Sequence, residues 1–306
     1  MIPYLARRAV QAVGVLFGVS VITFLLAFLL PADPARMIAG RSATVATVEN
    51  IRTQLGLDRP IHQQYVSYLG RLFQGDLGRS YAQRTDVNRI VKSRLAPTLQ
   101  LALAGIFFEL LIGVPAGIIA AIRRGTAVDQ TVMTLAFVGV SAPQFVVGLL
   151  LIYFLAYLVP IFPLGGYGTW KHLVLPAIAV GLAGGGWYAR VTRSAMVEVL
   201  RQDYVRTARA KGLLPNRVVF KHVLKNAVLP VVALIGLDIG VFMGGIVVVE
   251  TVFGWPGIGQ MIWQAIRLVD IPVIMGGVLV TALFVVVGNL VADLIYPVLD
   301  PRIRYT

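Results

Sequence analysis

The chain has 306 residues, 58% of them hydrophobic and 13% charged, with a mean hydropathy of +0.80, well above the roughly half-apolar composition of soluble domains. Repeated apolar runs of about twenty residues exclude an ordinary soluble enzyme and leave a polytopic membrane protein. No cysteine occurs, which excludes a disulfide scaffold, a thiolate metal site and a cysteine nucleophile, and the net charge of +13 has to be read by location before it can signal nucleic acid.

Residues 9–30 run 22 positions without a charge behind Arg7 and Arg8. The run exceeds the apolar core of a secretory signal and no small-x-small cleavage site follows it, so it is read as a retained first span. An outer segment, 31–97, comes next. Thr47 caps a short helix ending at Gly56; Ile61, Tyr65, Tyr68, Leu69 and Leu72 recur at helical spacing after Asp58-Arg59-Pro60. Two glycines within Gly75-Asp76-Leu77-Gly78-Arg79-Ser80 break the pattern before a third amphipathic stretch carrying Val87, Ile90, Val91 and Leu95. The expectation is a small helical lid that packs on its own spans, receives an external partner, or does both.

Residues 98–122 form the second span, with Glu109 inside it, and 130–159 the third, whose 30 residues require a tilt, a bend at Pro143 or a projection. The fourth, 173–189, is marginal and extends to Arg190 or beyond; the fifth, 227–249, holds Asp238 in its middle; the sixth, 272–298, holds Asp293 towards its end. With the N-terminus inside, the cytoplasmic pieces carry fifteen basic residues against four acidic ones, whereas the two short outer loops balance to zero. The positive-inside rule therefore places both termini in the cytoplasm. The domains expected are 1–30 with the first span, the outer loop 31–97, and a five-helix core 98–306 with a cytoplasmic loop at 194–226.

That loop reads as a helix-turn-helix projection. Met196, Val199, Leu200, Asp203 and Tyr204 have helical spacing, and Thr207, Ala208, Ala210 and Gly212 add small residues before a stop at Leu214-Pro215-Asn216. Small side chains and a glycine able to take a positive φ suit insertion into a groove of another protein; a basic loop lying on anionic headgroups is the alternative. Within the spans, an uncompensated carboxylate costs roughly 2.5–3.5 kcal/mol on insertion scales, so Asp238, and less strongly Glu109, are translocation-pathway residues or hydrogen-bonded structural ones. Gly14 and Gly18, Gly113 and Gly117, Gly181 and Gly185, and Gly236, Gly240 and Gly244 lie four apart, as close helix packing requires. His62, His172 and His222 lack metal-ligand spacing, so no metal site is expected. No P-loop pattern occurs, so the chain borrows ATP energy or uses an ion gradient. A proton-driven carrier using Asp238 and Glu109 is the competing class, and no internal repeat supports it.

Tyr204-Val205-Arg206-Thr207-Ala208-Arg209-Ala210-Lys211-Gly212-Leu213, with Asn226-Ala227-Val228-Leu229-Pro230 downstream, resembles the cytoplasmic signature of permeases of ATP-binding-cassette importers, in their dipeptide, oligopeptide and nickel branch. Gly75 to Ser80, Ser141-Ala142-Pro143 with Phe145, the run from Glu250 through Trp255-Pro256-Gly257 to Gly259, and the terminal Leu299-Asp300-Pro301-Arg302-Ile303-Arg304-Tyr305 are similar to the same branch. Arg206-Thr207-Ala208 stands where the general permease loop has Glu-Ala-Ala, and the Leu229-Pro230 ending is displaced, both of which narrow the resemblance to the peptide branch.

The resemblance implies an all-α type I importer permease fold in a prokaryotic inner membrane. It also implies a second homologous permease, two cytoplasmic subunits that bind ATP and magnesium, and an extracytoplasmic solute-binding protein. Tyr204, Arg206, Thr207, Ala208, Arg209, Ala210, Lys211 and Gly212 would then couple to the ATPases. Gly75, Asp76, Gly78 and Arg79, together with Trp255, Pro256 and Gly257, would dock the binding protein. Peptide is the cargo implied first, with nickel, oligosaccharide or another small solute as alternatives; no cofactor is expected on this chain, and no nucleic acid.

Overall fold

The computed structural model describes residues 2–29, 33–40 and 43–299. The expected end of the first span at Leu30, the side chain of Asp293 and the terminal run from Asp300 lie outside the described residues. Every regular element described is helical. Four helices are long and apolar enough to cross a membrane, and two bent pairs bring the count to six when each pair is taken as one span. These six fall at the six predicted positions. The chain divides into two compact units, Met1–Thr98 with Pro256–Phe284, and Leu99–Trp255 with Val285–Thr306.

In the first unit, α1 (Ile2–Leu29) is the first span, followed by α2 (Pro34–Ala39), α3 (Val45–Gln54) and α4 (Ile61–Phe73). Asp33 caps α2 by accepting from Ala35 N at 3.0 Å, and its second oxygen meets Arg52 of α3 at 2.6 Å. Thr44, not Thr47, caps α3: the Thr47 amide donates to the Thr44 hydroxyl. The cap sits three residues earlier because the extended backbone that a cap needs lies at Thr44. On α4, Tyr65, Tyr68 and Leu72 pack with Phe24, Ile271 and Met275, which is the helical stripe read from the sequence.

The third amphipathic stretch of the outer segment is not a separate lid helix. It is the start of α5 (Val87–Ile122), which runs without interruption into the second span. Val87, Ile90 and Val91 bury against Ile258, Met261 and Ala265 of α14 (Ile258–Leu268) and Val273 of α15 (Ile271–Leu299), so tertiary burial continues the helix through Pro97.

The second unit contains the rest of α5, then α6 (Ala127–Ser141) and α7 (Gln144–Ile152), which continues as a π-helical turn, Tyr153–Leu158. The predicted break at Pro143 is present: α6 and α7 meet at 97°. Proline has no amide to donate and drives the preceding Ala142 to an extended ψ of 126°. Helix α8 (Trp170–Val199) packs on α6 and α7 and exceeds its predicted length. The segment after α8 holds α9 (Asp203–Ala210), α10 (Pro215–Arg217), a second π-helical segment at Val218–Val223, and α11 (Leu224–Ala227). Beyond a 46° bend, α12 (Leu229–Met243) forms the fifth span, α13 (Val247–Val252) follows, and the part of α15 from Val285 belongs to the same unit.

Two of the predicted glycine pairs face one another. A Cβ at Gly117 would fall 2.5 Å from the Ala189 carbonyl, and one at Gly113 would overlap the Gly185 carbonyl, so α5 and α8 cross with backbones in contact. Gly14 and Gly18, by contrast, meet nothing within 4 Å.

Candidate coupling helix and intramembrane carboxyl pair

Helix α9 is short and two-faced. Val205 and Ala208 point inward, at 0% and 6% exposure, into a cluster with Ala121, Met196, Val218, Val219, Val223 and Ala227. Tyr204, Arg206, Thr207, Arg209, Ala210, Lys211 and Gly212 are exposed. Ala208 therefore corrects one expectation: it is three residues from Val205 on the buried face, so its small size serves the core and not an external groove. Gly212 has φ +73°; its amide bonds Arg209 O and the Leu213 amide bonds Ala208 O, the paired bonds of a left-handed helix stop. The predicted positive φ is thus in place.

Tyr204 ties this helix to the base of the fifth span. Asn226 Nδ2 donates to the Tyr204 hydroxyl at 2.7 Å, three residues ahead of α12. On the same side of the unit, Arg193 of α8 forms a two-point ion pair with Asp129 at the start of α6. Sequence reading counted both only as loop charge.

Higher in the unit, Asp238 of α12 accepts a short hydrogen bond from the Tyr188 hydroxyl of α8. Glu109 of α5 interacts with the same Asp238 carboxyl and lies directly over Gly184, where any Cβ would overlap it. Three helices thus meet at one polar cluster, with no basic side chain among the described partners. Glu109 is 2% exposed, inside the packed unit and not on an open wall, while Asp238 is half-buried. Tyr188 and Gly184 were absent from the sequence reading; both sit on the inward face of α8, a signal visible only once α8 is paired with α5 and α12.

The outer residues separate as well. Gly75, Asp76 and Arg79 are exposed and Gly78 is half-buried. Trp255 corrects the docking expectation: it is 1% exposed, with its ring edge-on to Tyr167 at 4.9 Å. Gly257 is buried too, leaving Pro256 as the partly accessible member of that turn. An aromatic ring this large lowers its free energy by filling the unit's interior, where it makes dispersion contacts on all sides.

Two family models cover the chain. The binding-protein-dependent transport system inner membrane component matches residues 113–305, and the N-terminal model of the same kind matches residues 1–102. The chain is 42% identical over 305 residues to the glutathione transport system permease protein GsiC of Escherichia coli O6:H1, and 41% identical to those of Escherichia coli K12 and Salmonella choleraesuis, covering 100% of each chain in every case. Among solved structures, a chain of the MetNI methionine ABC transporter in inward facing conformations is 21% identical with a TM-score of 0.59, covering 69% of this chain and 96% of that one, and shares the fold. Matched by these family models over most of its length and 42% identical over 305 residues to such a permease, the chain belongs to the inner-membrane permeases of binding-protein-dependent ATP-binding-cassette importers.

Proposed function

We propose that this chain is one of two permease subunits of an importer for short peptides, driven by ATP hydrolysis on two separate cytoplasmic subunits and fed by an extracytoplasmic solute-binding protein. The observation that carries the reading is the chain of contacts on α9. Its exposed basic face and left-handed stop lie on the long segment between the fourth and fifth spans, and Tyr204 links that helix through Asn226 to the start of α12. Movement of an ATPase against α9 is thereby applied to the helix that holds Asp238. Asp238, backed by Glu109 and Tyr188, offers negative charge along the fifth span, and a peptide ammonium group is the complementary cargo. The relatives named for glutathione, itself a tripeptide, support this class.

Transport proceeds by alternating access: cargo enters an outward-open pathway between paired permeases, and ATP-driven closure of the ATPases reverses the opening. The test is uptake of labelled glutathione and di- and tripeptides into vesicles containing the whole complex. Uptake should need ATP and the binding protein and persist when the proton gradient is collapsed. Loss of uptake on collapse would instead favour a proton-coupled carrier.

A further inference from the structure

Glu109 of α5 and Asp238 of α12 bring two interacting carboxyl groups together within the spans, and no cation among the described residues balances them. The basic residues that follow Tyr188 on α8 are engaged elsewhere: Arg193 with Asp129, and Arg190 over the Trp187 ring, 5.4 Å from its centroid. The titratable groups that face one another in the cluster are therefore Tyr188 from α8 and the two carboxyls themselves. Two ionised carboxylates side by side in a poorly screening interior repel strongly, so the pair is held together by a proton.

The available donors decide where that proton resides. Tyr188, 1% exposed, gives its hydroxyl to Asp238 Oδ2. Nothing comparable reaches Glu109. Its Oε2 is buried with no hydrogen-bond partner among the described residues, and its Oε1 fills the space that the missing side chain of Gly184 leaves open. An ionised carboxylate is an acceptor only and needs donors for its oxygens, whereas a protonated one has an O–H to give. At 2% exposure Glu109 cannot draw those donors from water. Asp238, half-buried and already served by Tyr188, is the member equipped to carry charge.

We infer that Glu109 is kept as a neutral carboxylic acid whose proton is directed at Asp238, so that the cluster presents one negative charge and not two. Glu109 is then a positioning residue: with Tyr188 it holds the Asp238 carboxylate from two neighbouring helices. The proton is a resident of the packed unit and is not carried across with cargo. One negative charge matches one ammonium group, the charge that a short peptide carries at its amino end. This last step rests on the peptide reading above; the protonation of Glu109 does not.

The experiment uses the whole complex reconstituted in bilayers. Infrared spectra of wild type, Glu109→Gln and Asp238→Asn at neutral pH are subtracted in pairs. Wild type should show a C=O band of a protonated carboxyl group that Glu109→Gln removes and Asp238→Asn retains. In uptake of labelled peptide, Glu109→Leu keeps the volume and loses the donor, so it should fall several-fold below Glu109→Gln, whose amide can donate to Asp238 as the acid does, with assembly intact in both. A spectrum in which Glu109→Gln removes no such band would overturn the inference, as would a band lost in Asp238→Asn instead, or equal uptake by the Gln and Leu variants. A wild-type complex that shows the band but takes up no peptide would strike the peptide reading and leave the proton on Glu109 standing.

Discussion

Arg193 grips Asp129 at two points, Nε to Oδ1 at 2.6 Å and Nη2 to Oδ2 at 2.7 Å, and the same carboxylate accepts from the Gly125 amide at 2.9 Å. The pair fixes the start of α6 to the last part of α8, nearly two turns and a short break ahead of α9. Its planar fork is the geometry that distinguishes arginine from lysine.

Removing the carboxylate leaves a guanidinium that is two-thirds buried without its partner. Asp129→Ala is expected to destabilise the purified subunit by about 3 kcal/mol, read as a lower thermal unfolding midpoint. Arg193→Lys keeps the charge but loses the second bond, so it should fall between wild type and Asp129→Ala. Equal midpoints for all three proteins would show the pair to be incidental.

On α9, position decides the outcome of a bulky substitution. Ala210→Trp, on the exposed face, should leave the chain folded and inserted while uptake fails and ATP hydrolysis loses its stimulation by loaded binding protein. Ala208→Trp should instead disrupt the cluster around Met196 and Val223 and lower subunit stability. Gly212→Val places a β-branched side chain at φ +73°, a strain on the order of 1–2 kcal/mol, and should uncouple transport. Thermal unfolding measured beside ATPase activity separates the two classes.

At the α5–α8 crossing, Gly117→Leu has no room for its side chain, because the Ala189 carbonyl and Thr192 Cβ already lie at 2.5 and 2.6 Å from the first added carbon. The helices must separate, and the complex should fail to assemble on size-exclusion chromatography. Gly14→Leu, where nothing lies within 4 Å, should assemble normally within this subunit.

For the carboxyl pair, Asp238→Leu and Asp238→Asn should both reduce peptide uptake while assembly remains intact. Tyr188→Phe removes the donor to Asp238 but keeps the ring, so its effect should fall on uptake and leave the α8 packing and the unfolding midpoint near wild type. Unimpaired uptake in both Asp238 variants would make the residue a structural one.

In the first unit, burial pushes the Tyr68 phenol up to about 12. A raised value means that the folded state favours the neutral phenol. This contribution to stability is complete below the ordinary tyrosine value of about 10 and is lost as pH climbs from there towards 12. Wild type should therefore lose stability around α4 across that alkaline window, and Tyr68→Phe should lose less, as followed by proteolysis of the 61–73 helix.

Span positions and the left-handed stop at Gly212 were legible in the sequence. Bilayer thickness and backbone conformation act on each segment separately, so residues 9–30 and Gly212 declare themselves locally. The bend at Pro143 belongs to the same class. Tertiary structure alone decided which way side chains face and whom they meet. Ala208 turned inward because Val205 shares its face; Trp255 became interior because Tyr167 covers it; the outer stretch from Val87 joined α5 because α14 buries it. Arg193 found Asp129 across 64 residues and Ser80 found Asp270 across 190. Such pairings depend on how helices pack, and packing is set by the simultaneous fit of many side chains, which no single stretch of sequence contains.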